Sequence, residues 1–263
     1  MTKDYATTPI RADISPTLHP DVAAQFAPVL AEVSGAGNRA YAEAREALAT
    51  VYETIGQIND TEKALLAAAQ ARGAPDKRDV FLEGGGLRHK HGREVEFDRA
   101  AQTAFDRAAA RYDASVRRMK GDLAALEKQL SEALGGDQPT GPLATEIRAH
   151  FKSLPNEVKR MDALMRAAGE KDTATLRAVL NAPPFLSGLT AKDQETMRQT
   201  ARQRVDPQTH GQIVAVTGLI DRVMQAGSAL VARMGEVQAA CEREAASPRG
   251  QAERQLRALG AKG

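Results

Sequence analysis

Apolar residues recur at alternating intervals of four and three positions along three long segments of the chain. The clearest series, in the middle of the sequence, reads Phe105, Ala109, Tyr112, Val116, Met119, Leu123, Leu126, Leu130 and Ala133. This spacing places its members along one face of an α-helix, and a face of that length is buried only against other helices. The pattern therefore predicts an all-α protein whose long helices pack as an antiparallel bundle or coiled coil.

Glycine and proline predict where the long helices end. We expect two of them within residues 21–134, joined by a loop that contains three consecutive glycines and two histidines. The second should begin near Glu94 and end before Gly135 and Gly136, and the third is expected over residues 207–246. The seam residues, which we expect at the buried helix faces, are Leu48, Val51, Ile55, Ile58, Phe105, Tyr112, Val116, Met119, Leu123, Leu126, Leu130, Ile213, Val216, Ile220, Val223, Leu230, Met234, Val237 and Cys241.

Residues 135–206 differ from the long helices, because prolines divide them into short amphipathic pieces. Asp172 is predicted to be the N-cap of one short helix, and Thr190 with Asp193 has the pattern of a capping box that opens another. These features predict a small helical subdomain inserted between the second and third long helices. Its core is expected to contain Leu176, Val179, Leu180, Phe185, Leu186 and Leu189.

Both ends of the chain are predicted to be distinct segments. Residues 1–20 contain three prolines, which block a long helix and predict an extended arm that is either loose, packed locally or docked on a neighbour. Residues 247–263 combine apolar residues at helical spacing with cations, which predicts a short basic amphipathic tail. In this tail the residues expected to contact a partner are Arg249, Arg254 and Arg257.

Composition narrows the class of protein. Aromatic residues make up 4% of the chain and tryptophan is absent, which favours narrow helix contacts over a thick globular core. The net charge of +2 comes from interspersed acidic and basic residues, as on a solvated bundle surface. The single cysteine, Cys241, excludes an intrachain disulfide and fits a reducing cytoplasm. No signal peptide is recognisable and the most apolar stretches, such as Ile213–Ile220, are short, so we expect a soluble protein with no membrane contact.

The histidines offer little catalytic chemistry. His89 and His91 could hold a metal together, but two ligands make a weak site and the neighbouring Lys90 and Arg93 repel a cation. A solvated loop is the favoured interpretation, and its cations suit an anion or an acidic partner surface. We predict no cofactor and no enzymatic activity. A cryptic enzyme in residues 135–206 would require a polar pocket near His150 or His210.

The segment Leu176-Arg-Ala-Val-Leu-Asn-Ala-Pro-Pro-Phe-Leu-Ser-Gly-Leu-Thr190 resembles a segment of uncharacterised helical proteins encoded among the head and structural genes of tailed bacteriophages and prophages. In those proteins it joins two short helices and is flanked by long alanine-rich, charged ones. The resemblance covers about a quarter of the chain, centred on residues 172–204, and none of its motifs is catalytic. It implies a role in virion structure or assembly.

These observations predict a non-enzymatic structural or assembly component of a tailed-phage virion, such as a head accessory, scaffold-like or internal protein. Its expected partners are further copies of itself and other virion structural proteins, in the particle or the assembling particle in the host cytoplasm. One alternative is a nucleic-acid-associated helical protein that uses the basic tail and the loop, with salt-sensitive, unspecific binding. Another is the cryptic enzyme.

Overall fold

The computed structural model describes residues 8–70, 88–136 and 141–246. Within these ranges every regular element is helical, which confirms the all-α class predicted from the sequence. Short 3-10 segments span Pro16–Leu18, Pro20–Phe26 and Pro184–Ser187. The α-helices are α1 (Ala27–Leu30), α2 (Ala36–Gln70), α3 (Arg88–Ala133), α4 (Pro142–Ser153), α5 (Glu157–Gly169), α6 (Thr173–Leu180), α7 (Ala191–Val205) and α8 (Pro207–Ala246).

The start of α3 differs from the prediction. The helix begins at Arg88 rather than near Glu94, because lysine, arginine and glutamate are good helix formers and one internal glycine costs only about 1 kcal/mol relative to alanine. The backbone of the predicted loop residues therefore lies in the first turns of this helix, and this applies to His89, Lys90, His91 and Arg93. Their side chains lie outside the described part of the chain.

The other end of α3 follows the prediction. The helix ends at Ala133, and the next two glycines, Gly135 and Gly136, have φ values of 109° and 61°. The Gly136 amide donates to the carbonyl of Ser131 at 2.9 Å, which satisfies one of the free carbonyls at the helix end. Left-handed backbone of this kind strains any residue with a Cβ, so glycine is required here.

The described residues divide into two compact units. The first is drawn from Met1–Gln25, Ala42–Arg117 and Ile220–Gly263, and the second from Phe26–Tyr41 and Arg118–Leu219. The predicted inserted subdomain, residues 135–206, falls within the second unit.

In the first unit, a tyrosine on α3 packs against a glycine on α8. The Tyr112 hydroxyl donates to the carbonyl of Val223 at 3.0 Å, and a Cβ placed on Gly227 would lie 2.5 Å from the tyrosine ring. Gln238 on α8 also donates to Gln102 on α3 at 3.1 Å. The earlier residue on α3, Gln102, contacts the later residue on α8, and the later residue, Tyr112, contacts the earlier one. The two helices are therefore antiparallel in this unit. A wider antiparallel bundle stays a prediction.

In the second unit, the short helices α4 to α7 enclose an apolar core. Asp172 caps α6 by accepting from the Thr175 amide at 3.1 Å, and Thr190 with Asp193 forms the predicted capping box of α7. These contacts confirm the two predicted helix starts. The buried core residues include Leu134, Phe151, Leu164, Leu176, Val179, Leu180, Leu189, Met197 and Val205.

Two residues assigned to this core from the sequence lie at the surface instead. Phe185 is 67% exposed and Leu186 is 38% exposed. Both belong to the 3-10 segment Pro184–Ser187, which follows Pro183 and turns more tightly than an α-helix. Their side chains therefore do not continue the buried face of α6. The prediction was wrong because it extended the apolar pattern of α6 through these prolines.

We predict that Gly227→Ala destabilises the protein by about 1–3 kcal/mol, since the new methyl group would overlap the Tyr112 ring. The matched control is Gly121→Ala on α3, where a Cβ meets nothing within 4 Å. That change should stabilise the protein by about 0.5–1 kcal/mol through helix propensity. Urea unfolding of both variants measures the difference, and equal effects of the two substitutions would contradict the close packing.

Candidate functional site

The N-terminal segment, residues 8–19, is packed on α2 of the first unit. The Tyr52 hydroxyl accepts a hydrogen bond from the Arg11 amide at 2.6 Å and donates to the carbonyl of Pro9 at 3.2 Å. The buried His19 ring meets the Tyr52 ring edge to face, with centroids 5.1 Å apart, and its Nε2 lies 2.9 Å from the carbonyl oxygen of Thr8. Ile14 is also buried. Of the alternatives for the predicted arm, the described residues adopt local packing.

A network of charged side chains holds this segment. Arg11 donates to Asp60 through its two terminal guanidinium nitrogens, Nη1 and Nη2, and Lys63 Nζ lies 2.9 Å from Asp13. Hydrogen bonds from Arg11 and then from Lys63 hold the pKa of Asp13 well below its usual range. Arg11 likewise lowers the pKa of Asp60.

The N-terminal groove, of 510 Å³, lies beside this segment and is lined by residues of the segment, of α2 and of α8. Ile14, Leu18 and Ile55 line its apolar part. Its charged residues pair with one another: Arg233 binds Glu62 and lies 3.0 Å from Glu236, while Lys63 binds Asp13. The lining thus carries three carboxylates and two cations, a formal charge of −1.

A second groove, the α2–α3 groove, has a volume of 220 Å³ and is more polar. Arg107 and Arg111 line its α3 side, and Thr50, Glu53, Thr54, Gln57 lie along α2. The two arginines stand one helical turn apart and have no ion-pair partner in the described ranges. Like charges at this spacing repel, so an anion bound between them would be stabilised.

Phe185 and Leu186 form the third feature, an apolar surface tip on the second unit. The left-handed Gly188 ends the 3-10 segment, and the Leu189 amide donates to the carbonyl of Pro184 at 3.0 Å. The Ser187 side chain is fully buried, and its Oγ has no hydrogen-bond partner within the described part of the chain. The backbone therefore holds the two apolar side chains outward in a defined turn.

The third long helix, α8, is more apolar than its short apolar stretches indicated. Among the described residues, one helix is long and apolar enough to cross a membrane by length and composition alone, and it is Pro207–Ala240 with a mean hydropathy of 1.3. In the most apolar 18 residues of this helix, 33% are buried. The core helix of a soluble protein can have the same length and composition, so the expectation of no membrane contact stays a prediction.

Most seam residues lie in the interior. Those that are half-buried are Phe105, Tyr112, Leu123, Ile213 and Ile220, and the Cys241 side chain lies outside the described part. The remaining seam residues are buried, namely Leu48, Val51, Ile55, Ile58, Val116, Met119, Leu126, Leu130, Val216, Val223, Leu230, Met234 and Val237. Sequence reasoning missed Tyr52, Leu219 and Ala226, which are also buried. A buried stripe wider than a strict heptad would have included them.

The predicted partner-binding residues are not brought together in the described part. The backbone of residues 89–93 starts α3, and Arg249, Arg254 and Arg257 lie outside the described ranges. His150 is exposed and His210 is half-buried, and neither lines one of the two grooves. Among the described residues, no group of three histidine, cysteine or acidic side chains is placed to hold a metal ion.

We predict that Asp13→Asn lowers stability near neutral pH and flattens the dependence of stability on pH. Because the folded pKa of Asp13 is lowered, its ion pairs stabilise the fold fully above the unfolded pKa of about 3.9, and this stabilisation is lost progressively as the pH falls from there toward the lower folded pKa. Urea midpoints measured from about pH 6 to pH 2.5 test this. Glu46→Gln, at an exposed position of α2, is the control and should leave the pH profile unchanged.

Comparison with known proteins adds no family. No protein-family model matches the chain, no curated protein matches it, and no solved structure matches it. Function is therefore inferred from the contacts, charges and exposed side chains of the described residues.

Proposed function

We propose that the protein is a non-enzymatic structural or assembly component of a tailed-phage virion. It would bind through its helices and through apolar side chains presented at the surface. The observation that carries the proposal is the exposure of Phe185, at 67%, within the segment that resembles phage structural proteins.

An exposed phenylalanine is a useful contact for another protein. Aromatic side chains bury a large area with few rotatable bonds, and they are enriched at the centre of protein interfaces. Leu186 extends the apolar surface beside it. We infer that these two side chains form the contact with another virion protein.

The segment around this tip is held in place before any partner binds. Gln194 on α7 donates to the carbonyls of Val179 and Ala182 at 2.8 and 2.7 Å. Arg198, also on α7, donates to the carbonyl of Leu180. These hydrogen bonds join the residues before the turn to α7 after it. Because the turn is already fixed in this way, little backbone entropy would be lost on binding.

The pairing of charged groups in the N-terminal groove supports a structural role. Its cations and carboxylates bind one another and hold the N-terminal segment on α2. Catalytic groups would instead be expected to remain free to meet a substrate. With the resemblance of residues 176–190, we propose that the protein acts in the virion, or in the assembling particle in the host cytoplasm, with virion structural proteins as partners.

We predict that Phe185→Ser lowers the amount of the protein that co-sediments with phage particles or their assembly intermediates, while its circular dichroism and unfolding midpoint stay unchanged. The control is Leu143→Ser, which removes an apolar side chain of similar exposure, 60%, from α4 of the same unit. Quantitative mass spectrometry of purified particles measures both variants. Absence of the wild-type protein from particles and from every assembly intermediate would refute the proposed function.

The α2–α3 groove favours a second candidate, a nucleic-acid-associated helical protein. Arg107 and Arg111 present two guanidinium groups beside the side-chain amide of Gln57, which can donate hydrogen bonds, and the Glu53 carboxylate lines the opposite side. The Thr54 hydroxyl is already used, because it donates to the carbonyl of Thr50 at 2.7 Å. Arginine is well suited to bind phosphate through two parallel hydrogen bonds. The predicted basic tail would add further phosphate contacts.

For this second candidate, we predict that Arg107→Ala combined with Arg111→Ala weakens DNA binding and reduces the slope of log K against log salt by about 2. The matched control replaces Arg99 and Arg117, which are exposed on the same helix and do not line the groove. Fluorescence anisotropy with a labelled duplex at several salt concentrations measures the slopes. Equal slopes for the two double variants would exclude the groove as the binding site.

A further inference from the structure

Met224 on α8 is the most exposed methionine in the described part of the chain, with 46% of its surface open to solvent. The other methionines there are half-buried or buried, and they are Met119, Met161, Met165, Met197 and Met234. A water-soluble oxidant converts a thioether sulfur into a sulfoxide most readily where the side chain is exposed. Met224 is therefore the first of these methionines that such an oxidant would reach.

A hydroxyl group from another helix of the first unit lies beside this sulfur. The Tyr112 hydroxyl on α3 is 3.5 Å from Met224 Sδ and 3.0 Å from the carbonyl oxygen of Val223. A thioether is a weak acceptor, so the carbonyl is the stronger partner of the hydroxyl in this arrangement. Burial, and then the Asp113 carboxylate, raise the pKa of Tyr112, so the hydroxyl keeps its proton at neutral pH and remains a donor.

The position of this hydroxyl does not depend on its hydrogen bond. The Tyr112 ring packs against the backbone of Gly227, where an added Cβ would lie 2.5 Å from the ring. The Val223 carbonyl lies inside α8, where it can also accept the helical hydrogen bond from the Gly227 amide. If the hydroxyl turned to another acceptor, the ring would stay in place and the carbonyl would keep a partner.

Oxidation of Met224 would place a stronger acceptor beside the hydroxyl. In the reaction with hydrogen peroxide, the sulfur lone pair attacks one peroxide oxygen, an S–O bond forms as the O–O bond breaks, and the second oxygen leaves as water with both protons. The sulfur is oxidised and the peroxide is reduced, so no other reactant is needed. The methionine side chain is unbranched and flexible, and its sulfoxide oxygen can turn toward a donor that already lies 3.5 Å from the sulfur.

We propose that Met224 is an oxidation site and that its sulfoxide accepts a hydrogen bond from the Tyr112 hydroxyl. The modified residue then joins α8 to α3 through a polar contact on the surface of the first unit. Reduction of the sulfoxide by a methionine sulfoxide reductase restores the original arrangement. This inference goes beyond the proposed function, since it concerns the chemistry of the purified chain and does not depend on a phage particle.

The first test compares the oxidation rates of the methionines in the folded, full-length protein. Under excess hydrogen peroxide, mass spectrometry of proteolytic peptides should show Met224 oxidised about tenfold faster than the buried methionines Met119, Met197 and Met234. In concentrated urea these rates should become similar, because the difference between them comes from burial in the fold. Oxidation of Met224 in the folded protein no faster than that of the buried methionines would overturn the proposal.

Tyr112→Phe isolates the role of the hydroxyl, because it keeps the ring and removes only the donor. After brief peroxide treatment, the shift in urea midpoint should be more stabilising in wild type than in Tyr112→Phe, since only wild type gains the new hydrogen bond. A methionine sulfoxide reductase should reverse this difference. Met224→Leu, treated in the same way, measures the effect of oxidation at other methionines, which is subtracted. Equal midpoint shifts in wild type and Tyr112→Phe would overturn the proposal.

A third measurement needs no substitution at Tyr112. In wild type labelled with ¹³C at the tyrosine Cζ, the NMR resonance of Tyr112 should shift when Met224 is oxidised, while the resonances of Tyr41 and Tyr52 stay unchanged. A Tyr112 resonance that does not move on oxidation would overturn the proposal, because the hydroxyl would then have kept its original partner.

Discussion

Close approach between helices, made possible by alanine and glycine at the buried faces, is the constraint on which both units of this protein depend. With few aromatic residues, the chain cannot fill a wide space between helices. Gly227 therefore receives the Tyr112 ring in the first unit, and in the second unit a Cβ on Gly218 would lie 3.0 Å from Phe26. A ring that lies this near a glycine backbone gains dispersion contacts that a larger side chain at the glycine position would prevent. Tyr112 and Phe26 are thus two aromatic rings that pack where a glycine makes room for them.

The sequence predicted features that depend on local chemistry. The capping residues Asp172 and Thr190 each accept a hydrogen bond from the amide three positions later. The glycines after α3 permit the positive φ angles that end the helix. Burial of the long apolar faces was predictable because helical spacing alone determines which residues share a face. The position of Phe185 was not predictable, because two prolines change the direction of the chain and apolarity does not tell which way a side chain then points. The grooves were also beyond reach, since each joins residues that are far apart in sequence and unrelated by any motif.

Charge in this chain is divided between groups that fix the fold and groups left for contacts. Arg11, Arg39 and Arg233 each bind carboxylates on other segments, and such pairs position those segments more than they add stability at an exposed site. Arg107 and Arg111 have no such partner in the described ranges, and the same is true of Arg99 and Arg117 on the same helix. Most cations on a helix surface are solvated in this way. Arg107 and Arg111 differ from Arg99 and Arg117 because they line a groove.

The amphipathic pattern of α8 is partly reversed, and this reversal links its high hydropathy to its exposure. Several of its polar residues face inward: Thr209 accepts a hydrogen bond from Gln129 at 2.9 Å, Gln212 is buried, and Arg233 binds Glu62. Apolar residues occupy outward positions in their place, among them Val214, Met224 and Val231. The seam predicted from the sequence leaves out these three residues, but periodicity alone does not tell whether an apolar residue outside the seam faces water or another molecule. In α8 the inward hydrogen bonds and ion pairs make that distinction, because they identify which side of the helix the rest of the chain already occupies.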